Sequence, residues 1–211
     1  MIVTKPKNLE EILKYLENSK IVSIIGCGAC AAACQSGGKD DVERMAKTLT
    51  DKFEISVKTV VDEACHHLLT KKQLREYTDK IMASDCILAM TCGAGVQCLA
   101  EIFPEKEVFP ANDTHMLGNA IRTGQFKSYC SMCGDCILGE TAAICVKTRC
   151  PKNHLNGPCG GMFDGKCEVN KENDCVYVLI YKKNKKIKST NLLKNDFSKK
   201  INELKLPRKK L

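Results

Sequence analysis

Tryptophan is absent from this chain of 211 residues, and aromatic residues of all kinds make up only 5% of it. That scarcity argues against an extensive stacking surface for single-stranded nucleic acid. Long apolar runs are missing too; nothing approaches the ~18 apolar residues of a membrane span. The opening MIVTKPKNLEEILKYLENSK has no long apolar stretch and no small-residue cleavage site, so it does not read as a secretory signal. The expected compartment is the cytoplasm, where thiols stay reduced. No internal repeat and no general acid–base pair can be identified.

Cysteine, by contrast, is abundant. Fifteen occur, clustered and odd in number. A disulfide framework would need an oxidising compartment that nothing here suggests, so metal or cluster ligation is the better reading. The net charge of +8 is unevenly placed. Residues 182–211 carry twelve Lys or Arg and two acids, hence +10, while the other 181 residues carry 21 basic and 23 acidic side chains, hence −2. A basic tail can touch nucleic acid or a membrane surface. Without aromatic interleaving or a regular basic stripe, this one reads instead as a solvated, partly helical extension.

Apolar residues reach 44%, enough for a core, and the length suits one ordinary domain with a small appendage. Residues 8–18 have a helical period: Leu9, Ile12, Leu13 and Leu16 share a face, and Asn8 with Glu11 suggests a capping box. IVSII (21–25), ISVKTVV (55–61), ILAM (87–90) and EVFPA (107–111) read as strands, Pro110 marking an edge or a strand end. Between them, Asp40 and Asp41 open a helix with Val42, Met45, Ala46, Leu49 and Phe53 in register, and Leu74, Tyr77, Ile81 and Met82 mark another. A short helix is expected after ILAM. Strands alternating with helices predict a small doubly wound parallel α/β domain over residues 1–122. Residues 123–181 form a cysteine-rich, loop-dominated module, closed by VYVLIY (176–181), which reads as a strand. Residues 182–211 are the basic tail.

In a parallel sheet the carboxyl ends of all strands share one edge, where ligands usually bind. GCGACAAAC places Cys27, Cys30 and Cys34 after the first strand; Cys65 follows the second and Cys92 the third. Four of these five thiols could hold one cluster or metal, with either Cys65 or Cys92 completing the set. The same turn matches a dinucleotide pattern at Gly26, Gly28 and Ala31, weakly, because Gly37 and Gly38 cut the following helix short and no acidic residue ends a second strand about twenty residues on. A redox dithiol at Cys27 and Cys30 is a further alternative, which Cys34 disfavours. Cys86 and Cys98 read as buried small hydrophobes. His66, His67, His115 and His154 read as structural or solvated.

The module holds eight more thiols, Cys130, Cys133, Cys136, Cys145, Cys150, Cys159, Cys167 and Cys175, the number that two four-cysteine centres require. Zinc wants four sulfurs around one point, about 3.8 Å apart, which a Cys-x-x-Cys-x-x-Cys run reaches uncomfortably. A cubane cluster offers a separate iron corner to each thiol, and the run CSMCGDC wraps such a body naturally. Gly134, Gly157, Gly160 and Gly161 let backbone approach inorganic sulfide. The expectation is two 4Fe–4S clusters in the module and one in the first domain, with zinc as the alternative at one site.

The run from CSMCGDC through NGPCGG and GKCEV to the cysteine before VYVLIY resembles the methylenetetrahydrofolate reductase C-terminal domain family. GCGACAAAC and CGAGVQ resemble the first half of the small subunit in which that domain occurs in acetogenic and related anaerobes. The resemblance spans residues 1–181. Tyr177 stands where Trp is usual, and Cys86, Cys98 and the basic tail lie outside the pattern. It implies an accessory electron-transfer subunit of the Wood–Ljungdahl pathway, not catalytic alone. Its implied partners are a flavin-containing methylenetetrahydrofolate reductase subunit and a further redox donor complex. The alternative is a structural subunit whose metals only hold the fold and which docks the reductase without carrying electrons.

Overall fold

The structure, a computed structural model, describes residues 1–188 apart from Asp135 and Asn156. Residues 189–211, most of the basic tail, lie outside the described residues. The chain divides into two units, Met1–Lys127 and Ser128–Leu211.

The first unit runs β1 (Ile2–Pro6), α1 (Leu9–Tyr15), β2 (Ile21–Cys27), α2 (Cys30–Ala33), α3 (Lys39–Leu49) and β3 (Glu54–Val61). It continues with α4 (His67–Gln73), a 3-10 turn at Arg75–Tyr77, α5 (Thr78–Ala83), β4 (Cys86–Met90), α6 (Gly93–Ile102), β5 (Glu107–Pro110) and β6 (Asn112–Leu117). The hairpin β7 (Asn119–Arg122) and β8 (Gln125–Lys127) closes it. Four strands form one parallel sheet in the order β3-β2-β4-β5. Pro110 ends the edge strand β5, where its missing N–H costs no ladder bond.

Side-chain alternation sends the two faces of the sheet into two cores. Along β4, Ile87 and Ala89 enter one, and Cys86, Leu88 and Met90 the other. Leu74, Ile81, Leu99 and Phe103 cover the first face; Ile12, Leu16, Val42, Ala46 and Leu49 cover the second. Helices on both faces make the doubly wound arrangement expected of buried parallel strands. Each fully buried Ile or Leu contributes about 1.5–3 kcal/mol, and Ile24, Ile25, Ile87 and Leu88 are all completely enclosed.

Local chemistry fixes the helix starts. Asn8 stands at the N-cap of α1, but its side chain makes no capping bond, contrary to the expected box. Glu11 binds Lys7 instead, at 2.6 Å, and accepts from the Tyr15 hydroxyl at 2.7 Å. Lys7 also meets Asp113 of β6 at 2.6 Å, and the two carboxylates, Asp113 above all, hold its ammonium charged far above its usual range. At α3 the Asp41 carboxylate accepts the N–H groups of Gly37 and Gly38 at 3.0 and 2.9 Å, turning the chain back toward the sheet.

That return requires glycine. A Cβ on Gly37 would fall 1.9 Å from the Met90 carbonyl oxygen, and one on Gly26 2.3 Å from the Gly37 oxygen. The Cys27 N–H donates to the same Gly37 oxygen at 2.9 Å. β1 was not foreseen: it pairs antiparallel with β6 as a separate two-stranded ribbon, Ile2 opposite Leu117.

In the second unit α7 (Val146–Arg149) and α8 (Val176–Ile187) are the helices among the described residues; the rest is mostly turns. VYVLIY is therefore not a strand but the first half of α8. The buried positions Val176, Tyr177, Ile180 and Asn184 follow a helical period that only shows once the polar residues beyond 181 are included. Val176, Tyr177 and Ile180 make a small core with Ile137, Val146 and Cys175.

Gly37→Ala is expected to lower unfolding stability by about 1–3 kcal/mol, read from the denaturant midpoint, because the methyl group must push backbone apart. Asp85 gives a pH test. Its carboxylate accepts the N–H groups of Ile21 and Lys20 at 2.8 and 2.7 Å, which hold its pKa below the usual range. A depressed pKa stabilises the fold above about pH 4 and ceases to do so as the carboxylate protonates. Acid unfolding curves of wild type and Asp85→Asn should therefore differ near neutrality and converge at low pH.

Candidate metal centres

The strand order reverses between β2 and β4, so the crevice beyond their carboxyl ends is the topological switch point. Cys27 is the last residue of β2 and Cys92 is the N-cap of α6, just past β4. Cys30 opens α2, and Cys65 follows β3. Cys65 is exposed on its outward side, yet its thiol pKa is pushed up, first by partial burial, then by the thiols of Cys92, Cys27 and Cys30. Cys27, Cys65 and Cys92 thus follow three neighbouring strands at one edge of the sheet, with Cys30 at the start of the helix after Cys27. Cys34 turns its sulfur against β1, accepting the Thr4 N–H at 3.4 Å and lying 3.8 Å from the Ile2 carbonyl oxygen.

The β1–β6 ribbon pins the turns that carry these thiols. The Ile2 N–H donates to Cys30 Sγ at 3.4 Å. The Gly93 N–H donates to Thr114 Oγ1 at 2.8 Å, fixing the turn at Cys92. Buried Asn112 donates through Nδ2 to the carbonyls of Ser36 and Thr91, at 3.0 and 3.4 Å, tying one turn to the other. The Thr4 and Ser36 hydroxyls meet at 2.7 Å. A dinucleotide cradle would need free N–H groups here. Those of Cys27 and Gly28 are consumed by the carbonyls of Gly37 and Val61, and α2 has only four residues.

In the second unit Cys150, Cys159, Cys167 and Cys175 line one cavity together with Met162 and Tyr177. The Tyr177 hydroxyl donates to the His154 carbonyl at 2.7 Å, which gives His154 a structural role through its backbone. The other four thiols precede this set in the chain. Cys130 and Cys136 are exposed, Cys133 and Cys145 half-buried. The Met132 N–H donates to Cys130 Sγ at 3.3 Å and the Thr148 hydroxyl to Cys145 Sγ at 3.2 Å. Three charged residues that sequence reasoning missed, Arg149, Lys152 and Glu168, also line the cavity. Glu168 Oε2 accepts from Cys159 Sγ at 3.5 Å and pairs with Lys152. Lys152 raises no signal of its own in the sequence; Glu168 does so only by adjoining Cys167.

Among the described residues, no three His, Cys, Asp or Glu side chains converge on a point that would suit a bare metal ion. A cluster, with separate iron corners, needs thiols around a body and not a point, and four thiols lining one cavity supply that donor set. The cavity measures about 20 Å³, room for roughly one water. Cys86 and Cys98 are buried with thiol pKa values raised by burial, and the Ser19 hydroxyl donates to Cys86 Sγ at 3.3 Å.

Fold and thiols define the class: a cysteine-rich α/β unit followed by a turn-built unit richer still in cysteine. Residues 109–203 match the family described as methylene-tetrahydrofolate reductase C terminal. No curated protein and no solved structure matches the chain. The match begins in β5 and continues past 181, so the basic segment to residue 203 falls inside the matched stretch, whereas the resemblance had placed the tail outside the pattern. No described helix is long and apolar enough to cross a membrane.

Brief alkylation of metal-free protein near pH 8, read by mass spectrometry, should label Cys130 and Cys136 at least tenfold faster than Cys86 and Cys98, whose burial both shields and protonates them. Comparable rates at all four would contradict this burial pattern.

Proposed function

We propose that the protein is an iron–sulfur accessory subunit of a flavin-dependent methylenetetrahydrofolate reductase complex. In this reading it is cytoplasmic and relays electrons to or from the partner's flavin in one-carbon, Wood–Ljungdahl metabolism. The observation that carries the reading is the cavity lined by Cys150, Cys159, Cys167 and Cys175, inside the segment that matches the reductase family. Cys130, Cys133, Cys136 and Cys145 are left as a second set of four, and Cys27, Cys30, Cys65 and Cys92 form a third at the sheet edge.

Iron–sulfur clusters, when bound, supply reversible one-electron chemistry. The chain's own groups prepare for it. The Ile2 N–H and the Thr148 hydroxyl hydrogen-bond to Cys30 and Cys145, stabilising developing thiolates. Tyr177, Val176 and Ile180 close the inner side of the cavity-bearing unit against water. Electron balance is simple: a donor complex loses two electrons one at a time, and the partner's flavin gains the same two.

The second reading, a structural subunit with zinc or iron–sulfur centres that docks the reductase, draws on the small core of the second unit, too small to hold that unit without cross-links. Metal analysis separates the two. Anaerobically purified protein should be brown, carry about twelve iron atoms per chain with three loaded centres, and bleach with dithionite. Cys150→Ser or Cys159→Ser should lose about four of them, while Cys86→Ser should lose none. A colourless, well-folded protein with stoichiometric zinc would overturn the electron-transfer reading.

A further inference from the structure

We propose that β1 is a thiol-dependent strap: a strand that opens on its own, and whose closure is lost when the thiols it rests on, Cys30 and Cys34, are modified. One edge of β1 pairs with β6, from Ile2 opposite Leu117 to Pro6 opposite Asn112. Among the described residues no strand covers the other edge. Two sulfurs stand there instead. The Ile2 N–H donates to Cys30 Sγ and the Thr4 N–H to Cys34 Sγ, each at 3.4 Å. The Cys34 thiol also lies 3.8 Å from the Ile2 carbonyl oxygen, which it reaches as a weak donor. Alternate N–H groups of a strand face the same edge, and α2 with its cap residue sets Cys30 and Cys34 one helical turn apart to meet them.

The rest of β1 is lightly held. Its burial is confined to Val3 and Thr4, whereas every residue of β4 is buried. It belongs to a two-stranded ribbon apart from the parallel sheet, and its register slips between Val3 and Thr4. Two-stranded ribbons are marginal by themselves, and elements with few buried apolar groups open at lower free energy than the core around them. The sulfur contacts and the bond between the Thr4 and Ser36 hydroxyls, at 2.7 Å, therefore make up much of what keeps the strand's free edge closed.

Cys30 and Cys34 are both half-buried, so small reagents reach them while the unit stays folded. Cys34 belongs to none of the three sets of four thiols, so the strap needs no bound centre to work. A hydroperoxide can oxidise its thiol to a sulfenic acid. The sulfur attacks one peroxide oxygen, an S–O bond forms and the O–O bond breaks. Sulfur loses two electrons, and the departing oxygen takes the thiol proton and leaves as water or an alcohol. The added oxygen needs room that contacts of 3.4 and 3.8 Å do not leave, so β1 must lift away.

The test is hydrogen exchange of anaerobic full-length protein, read by mass spectrometry on peptides covering β1, β2 and β4. In wild type, β1 should exchange about tenfold faster than β2 and β4, or faster still. Hydrogen peroxide, with the sulfenic acid located by dimedone, should oxidise Cys34 and speed β1 by about a further tenfold, leaving β2 and β4 as they were. Cys34→Ala should reproduce that acceleration without peroxide and respond no further to it. Cys34→Ser, which keeps a hydroxyl in place of the thiol, should stay nearer wild type. A β1 that exchanges as slowly as β2, a Cys34 that peroxide leaves untouched, or a β1 unmoved by oxidation at Cys34 would each overturn the proposal. So would equal opening by peroxide in Cys34→Ala. Should that variant unfold the whole unit, β2 and β4 would exchange together with β1, and the peroxide response of wild type decides the matter.

Discussion

The close approach of Gly37 to the end of the parallel sheet is the constraint on which the first unit's site depends. Its carbonyl accepts from Cys27, and its α-carbon lies where any side chain would strike Met90. Only because the chain can come that near does the segment bearing Cys30 and Cys34 fold back over the switch point and not run outward as a longer helix. Asp41 reinforces the return by satisfying the N–H groups of Gly37 and Gly38. Buried Asn112 then joins Ser36 to Thr91, so that turns from two different strands keep a fixed separation. Its Oδ1 is buried and accepts no bond among the described residues, a cost that the two bonds of its amide nitrogen must outweigh.

The second unit solves a different problem. Its buried apolar side chains are few and gather around α7 and α8. In the reading proposed above, thiols spaced through the turns of this unit would provide what the core lacks, since a ligand bond at several points along the chain closes loops that burial cannot. Charged contacts add little by comparison: Lys166 pairs with Asp174 at 2.7 Å on an exposed surface, where such pairs are weak. The two units therefore place cysteine differently, at the edge of a preformed sheet in one and throughout a frame of turns in the other.

Much of this was legible in residue patterns, for identifiable reasons. IVSII, ISVKTVV, ILAM and EVFPA are short, apolar and rich in branched side chains, and each became a strand of the parallel sheet. The convergence of Cys27, Cys65 and Cys92 followed from topology alone, because parallel strands end together. β1 was not legible. Its five residues, IVTKP, are too few for periodicity, and its partner lies more than a hundred residues away. VYVLIY misled because six apolar residues carry no period, and the helix declares itself only through Asn184 and the lysines around it. Grouping the eight thiols of the module into sets was beyond reach, since turns without periodicity give no account of which sulfurs face one cavity. The same limit hid Lys152 and Glu168.

The ribbon formed by β1 and β6 has a temporal side. Ile2 is synthesised well before Leu117 and cannot find it until nearly the whole first unit has been made. Until then the donors that β1 offers to Cys30 and Cys34 have no fixed position, and the sulfurs of the sheet edge stay uncovered. Closure across so long a stretch of chain is slow compared with local helix formation. Assembly of the sulfur-bearing edge is therefore a late event in the folding of the first unit.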